Sequence, residues 1–259
     1  MSYLEELYSL ENRTAVVIGG GGVLAGAMAV GLAKAGADIA VFDLNGENAE
    51  KTAAEAAAQG VRSMAVPGNA ASKADLERCL EQVCRTLSPP SILINAAGIN
   101  SATPFFEISE EEYDRIMSVN LKSMFLACQV FGRKMIAEGR GGSIINISSA
   151  SSGPPLSKVF TYSLSKAGVN NLTQWLAREW APYRIRVNAV APGFFPAEQN
   201  RKILTQERIA DIMRHTPMAR FGEPDELIGA VIWLASDRAA SFVTGALIRV
   251  DGGFSAMTI

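Results

Sequence analysis

Histidine is nearly missing from this chain: His215 is the only one in 259 residues. A zinc site built on several imidazoles is thereby excluded, and a serine–histidine–carboxylate triad would have to rest on that single residue. Cysteine is also scarce. Cys79, Cys84 and Cys128 form an odd set without metal-ligand spacing, so they read as small buried hydrophobes in a reducing, cytoplasmic setting, and no metal is expected. No basic run exists and the formal net charge is −2, which argues against nucleic acid as a partner. No linker rich in Pro, Gly or Ser and no internal repeat divides the sequence, so one domain over residues 1–259 is expected. No targeting signal is evident. Residues 15–33 carry no charge and have the length of a membrane span. Four consecutive glycines at 19–22 interrupt them, which makes the stretch a strand, a turn and a helix, and no membrane partner is expected.

What the chain does have is apolar residues, 48% against 19% charged, enough for a sizeable core. Short apolar runs at 14–18, 38–42, 62–66, 91–94, 143–147, 186–190 and 246–250 read as strands. Several are apolar throughout, as in a parallel sheet covered on both faces. Helical patterns occupy 24–35, 46–59, 73–87, 110–137, 161–180 and 224–235, with Ser72 and Ser109 as N-caps, Gly36 and Gly60 as stops, and Pro224 in a first turn. This alternation predicts a doubly wound, Rossmann-type α/β domain with a mainly parallel, seven-stranded sheet. The longest poorly patterned stretch runs from Pro192 to Gly222, and residues 194–221 within it are expected to form a substrate loop.

Two features carry chemistry. At the first strand-to-helix turn, Gly20-x-Gly22-x-x-Ala25 satisfies the loose dinucleotide pattern. Glycines there let the backbone approach a pyrophosphate, and the helix offers its N-terminus to the anion. Asp43 closes the second strand about twenty residues on, where a carboxylate binds ribose hydroxyls and repels a 2′-phosphate, so NAD is favoured over NADP. Asp43 is equally placed to cap the turn at Asn45-Gly46. The second feature is Tyr162 and Lys166, four apart on a helical stretch and therefore on one face. A cation beside the phenol is expected to lower its pKa and fit it for proton transfer. Thirteen positions upstream, Ser149 ends the fifth strand-like run and brings a hydroxyl from a different element; Ser148 is its neighbour and competitor.

With Tyr162-x-x-x-Lys166, the glycine loop, and Asn95-Ala96-Ala97-Gly98 after the fourth strand, the chain resembles the short-chain dehydrogenase/reductases from about Leu10 to Gly253. The resemblance implies an NAD(P)-dependent enzyme with a catalytic set of Asn120, Ser149, Tyr162 and Lys166. The interval to Tyr162 favours Ser149 over Ser148. It also implies cofactor contacts from Gly19, Gly21, Gly22, Leu24, Asp43, Leu44, Asn69, Ala70, Asn95, Ala96, Ala97, Gly98, Pro192, Gly193 and Phe195, besides Tyr162 and Lys166. Asn95 and Asn188 are also open to a structural reading as backbone anchors. The chain departs from the family pattern at Ile18, Val23 and Ala25 in the glycine loop, at Asn69 after the third strand, and at Ala197 after Pro192-Gly193.

The substrate is sought in Phe194 to Arg201, apolar first and then rich in amides and charge. Such a loop suits a polyhydroxylated ligand, with Asn200 and Arg201 as contacts beside Ser149 and Tyr162, and Arg201 or Lys202 as carboxylate partner. Within the family the glycine loop and this segment resemble oxidoreductases of sugar acids of the mannonate/fructuronate or gluconate type. The alternatives are a 3-oxoacyl or other ketone reductase, a lyase or epimerase on the same fold, and an NAD-binding sensor or scaffold without catalysis. Trp175, Trp180, Trp233, Phe125 and Phe131 read as core or subunit-interface residues. The resemblance further implies a homodimer or homotetramer built on the helices at 110–137 and 161–180 and the last strand.

Overall fold

The computed structural model describes residues 2–154, 156–196 and 205–257. Its centre is a seven-stranded sheet, parallel throughout, of strands β1 (Thr14–Ile18), β2 (Asp38–Asp43), β3 (Ser63–Pro67), β4 (Ile92–Asn95), β5 (Gly142–Ile147), β6 (Ile185–Pro192) and β7 (Leu247–Val250). Their order is β3-β2-β1-β4-β5-β6-β7. The chain thus winds outward from β1 to β3, returns to β4 beside β1, and winds the other way. The crevice at the carboxyl ends of β1 and β4 is the switch point where such sheets bind ligands.

Strand residues of alternating parity enter two separate cores. Ala15, Val17, Ile39, Val41, Ile92 and Ile94 pack against Met28 and Leu32 of α2 (Val23–Lys34), with α3 (Gly46–Ala57) on the same face. Val16, Ile18, Ala40, Phe42, Leu93 and Ile144 enter the other core, covered by α4 (Lys73–Thr86), α6 (Ser123–Glu138) and α7 (Phe160–Trp180). Double-sided burial explains why the central positions of these strands are mostly apolar, without in/out alternation. Cys79 and Cys128 lie in the second core, where burial pushes both thiols up to about 12. They are space-filling groups. Among the described residues no cluster of His, Cys, Asp and Glu is fit to hold a metal, and no helix is long and apolar enough to cross a membrane.

The seven strands and their parallel arrangement match expectation, as do the caps: Ser72 and Ser109 accept from Asp75 N and Glu112 N, and Gly36 and Gly60 take φ of 98° and 88°. Three helical assignments need correction. The pattern at 110–137 is α5 (Glu110–Met117), a π-helical turn at Ser118–Lys122, and then α6. The stretch at 224–235 begins as a 3₁₀ turn, Pro224–Leu227, before α9 (Ile228–Ala235). Helix α8 (Gln206–His215) lies inside the stretch expected to be loop; Thr205 caps it and Ile212 is its one buried residue. Ile209, Ile212 and Met213 stand at i, i+3 and i+4 along it, an apolar stripe set in an otherwise polar stretch. Helix α1 (Tyr3–Tyr8) has no buried residue at all, and its visible mark was the Ser2/Glu5 capping box.

The layers meet at small residues. A Cβ on Gly31 of α2 would come within 2.5 Å of Ile228 Cγ2 and 2.9 Å of Cγ1 in α9. Gly31→Ala is therefore expected to destabilise the fold by about 1–3 kcal/mol through overpacking, against roughly 1 kcal/mol of helix propensity gained. Urea denaturation read by circular dichroism measures the balance, and a midpoint at or above wild type would show that α9 yields at no penalty.

Candidate active site

The turn after β1 is forced to be glycine by its neighbours. Gly19 has φ of 79°, and a Cβ there would lie 2.7 Å from Ala97 N, so the loops after β1 and β4 cross in contact. At Gly21 a Cβ would meet Asn48 Cβ at 2.8 Å and Asp43 Cγ at 3.0 Å. Gly22 is the N-cap of α2 and has no side chain to cap it. The first-turn N–H groups of α2 therefore have no side-chain acceptor, which is the condition for taking a phosphate. Leu24 is half-buried against the core behind this turn.

Asp43 takes the capping part that the sequence offered. Its Oδ2 accepts from Gly21 N and its Oδ1 from Asn45 N, both at 2.9 Å. One lone pair on each oxygen remains for a ligand hydroxyl. Beside it a shallow depression is lined by Leu44, Asn45, Gly46, Glu47 and Glu50, with Leu44 77% exposed. Three of the six lining side chains are carboxylates and none is cationic. Across the sheet end, Asn69 Oδ1 accepts from Ala71 N at 2.9 Å, and Asn69 N donates to Asp75 Oδ2. Ala70 packs against the second core. The Asn69 amide oxygen is thus already engaged within its own turn.

Asn95 is buried at the end of β4 and turns inward. Its Nδ2 donates to Asn146 Oδ1 at 2.8 Å and lies 3.4 Å from Cys128 Sγ, while Asn146 Nδ2 donates to Thr173 Oγ1 at 2.9 Å. This ladder of amides bolts β4 and β5 to α7, the structural reading of Asn95. Asn188 likewise serves backbone, joining Val243 O and Ala246 N. Ala96 and Ala97 are half-buried over the glycine turn, and at Gly98 the cleft opens. An atom at its Cβ position would stand 3.5 Å from Lys166 Nζ and 3.6 Å from Asn120 Oδ1.

Around that point the four catalytic candidates converge from three elements. Asn120 sits fully buried in the π turn, where the wider helical ring re-aims its side chain. Its Oδ1 accepts from Ile99 N at 2.8 Å, and its Nδ2 donates to Ile99 O at 2.9 Å and Ser165 Oγ at 3.0 Å. Lys166 is buried, donates from Nζ to Ile147 O at 2.8 Å, and lies 5.7 Å from the centroid of the Tyr162 ring. Ser149 stands close enough to the Tyr162 phenol for its hydroxyl to lower the phenol pKa. Ser148 is committed elsewhere, donating to Asn170 Oδ1 at 2.6 Å. On the far wall Gly193 N donates to Val250 O, and Phe195 lays its ring against Gly222, where a Cβ would be 2.3 Å away. Ala197, Asn200, Arg201 and Lys202 lie outside the described residues.

The electrostatics differ from the expectation of a lowered phenol. Burial raises the Tyr162 pKa above its usual value, and the Ser149 hydrogen bond pulls in the opposite direction. Burial also lowers Lys166 to about 8. The reason is local: the ammonium is aimed at a carbonyl, no carboxylate accompanies it, and its own desolvation dominates. By itself the protein keeps the phenol protonated and the amine poised near neutral pH. Two residues went unnoticed in the sequence, Ser151 and Asn170. Ser151 donates to Ser149 from both N, at 3.2 Å, and Oγ, at 3.1 Å. Asn170, one turn beyond Lys166 on the same stripe of α7, could have been found by extending the four-residue spacing.

Comparison with known proteins agrees with this geometry. A family model described as enoyl-(acyl carrier protein) reductase matches residues 22–255. The 5-keto-D-gluconate 5-reductase of Escherichia coli strain K12 is 34% identical over 251 residues, covering 96% of this chain and 98% of that protein. Two crystal structures superpose with a TM-score of 0.93. One is a putative D-mannonate oxidoreductase from Haemophilus influenza with bound NAD, 35% identical and covering 98% of this chain and 99% of that one. The other is a gluconate 5-dehydrogenase from Burkholderia cenocepacia in complex with NADP and tartrate, 33% identical and covering 99% and 100%.

The buried amine makes a prediction about stability. Lys166 goes from 10.5 in the open chain to about 8 when folded, so its depressed pKa opposes folding fully below pH 8, and the opposition fades as pH rises toward 10.5. Replacing it by the uncharged Met removes that term. The stability advantage of Lys166→Met over wild type is expected to shrink by roughly 2 kcal/mol between pH 7 and pH 10. Denaturant titrations of both proteins at the two pH values measure it; a pH-independent difference would show that the buried amine keeps its open-chain pKa.

Proposed function

This chain belongs to the short-chain dehydrogenase/reductase family, and from that premise we propose that it interconverts a secondary alcohol and a ketone on a sugar acid or polyol, with NAD preferred over NADP. The observation that carries the reading is the meeting of Ser149, Tyr162 and Lys166 at the open end of β5, facing the gap at Gly98. A sensor or scaffold without catalysis has no use for a hydroxyl pair bonded above a buried amine. A bound nicotinamide dinucleotide would supply the hydride acceptor in oxidation and the donor in reduction.

The fit to that group rests on features of this chain. The uncapped N-terminus of α2 and the side-chain-free Gly21 and Gly22 suit the pyrophosphate, with Asp43 for the adenosine ribose. Pro192, Gly193 and Phe195 form the opposite wall. The NAD preference follows from charge: Asp43, Glu47 and Glu50 surround the depression where a 2′-phosphate would lie. Lys166, beside Gly98, is placed to hold a ribose hydroxyl and to favour the phenolate when protonated.

In oxidation the substrate hydroxyl gives its proton to Tyr162 as phenolate, while Ser149 donates a hydrogen bond to the same oxygen and stabilises its developing charge. In reduction Tyr162 returns the proton. The sugar-acid class rests on the full-length likeness to a gluconate reductase, a gluconate dehydrogenase and a mannonate oxidoreductase. The acyl reductase description of the family model makes a 3-oxoacyl substrate the second reading. A panel of aldonates, polyols, acyl ketones and steroids with both nucleotides decides between them, and activity confined to acyl or steroid ketones would reject the sugar-acid reading.

The outer faces of α6 and α7 support a homo-oligomer. Phe125 and Trp175 are 45% and 57% exposed and line one groove with Leu121, Leu172 and Leu176. A second copy packed there by two-fold symmetry would cover them. Trp175→Glu is expected to shift the protein toward monomer by sedimentation velocity, and an unchanged sedimentation coefficient would move the interface elsewhere. For the chemistry, Tyr162→Phe is expected to lower kcat by about 10²–10⁴ with NADH binding, read by fluorescence titration, unchanged within about twofold. Turnover near wild type would remove Tyr162 from the reaction.

A further inference from the structure

Ser149 is held by more polar groups than a turn requires. It starts the 3₁₀ turn Ala150–Ser152, and Asn170 of α7 grips the chain on both sides of it. Asn170 Oδ1 accepts from Ser148 Oγ at 2.6 Å, and Asn170 Nδ2 donates to Ser152 Oγ at 2.9 Å. Ser152 Oγ in turn donates to Ser149 O at 2.6 Å. Ser148, Ser149, Ser151 and Ser152 are all buried. One amide therefore sets the distance between the serine turn and the helix that carries Tyr162 and Lys166.

Ser151 sets something different, the polarity of the hydroxyl. A serine oxygen has two lone pairs and one proton to offer. Ser151 N and Ser151 Oγ both donate to Ser149 Oγ, at 3.2 Å and 3.1 Å, and fill its accepting capacity. What remains is the Ser149 proton, and the nearby group whose pKa it lowers is the phenol of Tyr162. A hydroxyl in this state can only donate there, which is what a carbonyl oxygen or developing alkoxide needs.

We propose that Asn170 and Ser151 are positioning residues of the reaction: Asn170 fixes the place of Ser149 against Tyr162, and Ser151 fixes its hydroxyl as a donor. Neither touches the reacting atoms. The inference rests on the oxidoreductase reading for its kinetic consequences, though not for the state of the phenol.

The test is a double-mutant cycle with a second readout that needs no substrate. In a background with Ser149 intact, Asn170→Ala is expected to lower kcat about ten- to a hundredfold and Ser151→Ala about three- to tenfold, with KM for the nucleotide unchanged. In the Ser149→Ala background neither substitution should lower kcat further. Independently, spectrophotometric titration of the phenol at 295 nm, taken as the difference from Tyr162→Phe, is expected to move to higher pH in Asn170→Ala, Ser151→Ala and Ser149→Ala alike. Equal losses in both backgrounds, or a phenol titration unmoved by Asn170→Ala and Ser151→Ala, would overturn the proposal. Ser151→Ala deletes one hydroxyl and keeps the backbone donor, so it tests the idea even if Asn170→Ala does not fold. Absence of turnover in wild type on every substrate would count against the oxidoreductase reading, while the titration would still decide the role of the two residues.

Discussion

The hydrogen bond from Lys166 Nζ to Ile147 O, 2.8 Å long, is the constraint on which the site depends. Ile147 is the last residue of β5, so the bond ties the middle of one sheet to the first turns of α7. It determines which way the amine points, and therefore what it can do. An ammonium aimed at a carbonyl and buried without a carboxylate is destabilised, not neutralised. That is why its pKa falls to about 8 while the phenol beside it rises. The pair is tuned from both directions by one cause, burial, and a small electrostatic change at Gly98 acts on both groups together.

Holding an amine in that state requires rigid surroundings, and the surroundings are polar. Asn95, Asn146 and Thr173 form one chain of side-chain hydrogen bonds behind the cleft; Ser148, Asn170 and Ser152 form another beside it. Asn120 braces Ile99 and Ser165 from the π turn. A buried polar network fixes geometry more sharply than apolar packing does, because each broken bond leaves a group unsatisfied. The apolar cores on the two faces of the sheet supply the bulk of the stability. The amide and serine layer at the sheet's carboxyl end supplies direction.

Much of this was legible in the sequence because it is periodic. Strands buried on both faces show as unbroken apolar runs, and seven of them in alternation with helices imply the parallel sheet. The four-residue step from Tyr162 to Lys166 implies a shared face, and a glycine pattern between a strand and a helix implies an anion site. What could not be read was direction. The interval to Tyr162 favoured Ser149 over Ser148, but spacing alone cannot show that Ser148 turns to Asn170 or that Lys166 turns toward Ile147 O. Helix α8 escaped because its stripe of Ile209, Ile212 and Met213 is short and set in a polar stretch, and the π turn escaped because one extra residue per ring leaves composition unchanged.

The arrangement also separates the reaction from the choice of substrate. Ser149, Tyr162 and Lys166 stand on β5, its following turn and α7; the segment after Pro192 and helix α8 leave from β6. Among the described residues the hydrogen bond that joins the two excursions is from Arg208 Nη1, on α8, to Ser157 Oγ, in the connection between Ser149 and Tyr162, at 3.1 Å. A guanidinium held by one such bond keeps most of its five donors uncommitted. Lys166 Nζ is fixed by its buried bond to Ile147 O and Ser149 by Ser151, whereas among the described residues the facing wall is tied to that excursion at its exposed rim by one hydrogen bond. Side chains on that wall can therefore change without disturbing the phenol. A fold built this way keeps one chemistry while its substrates diverge, which is why the Tyr162–Lys166 spacing speaks to reaction type and is silent on which alcohol is used.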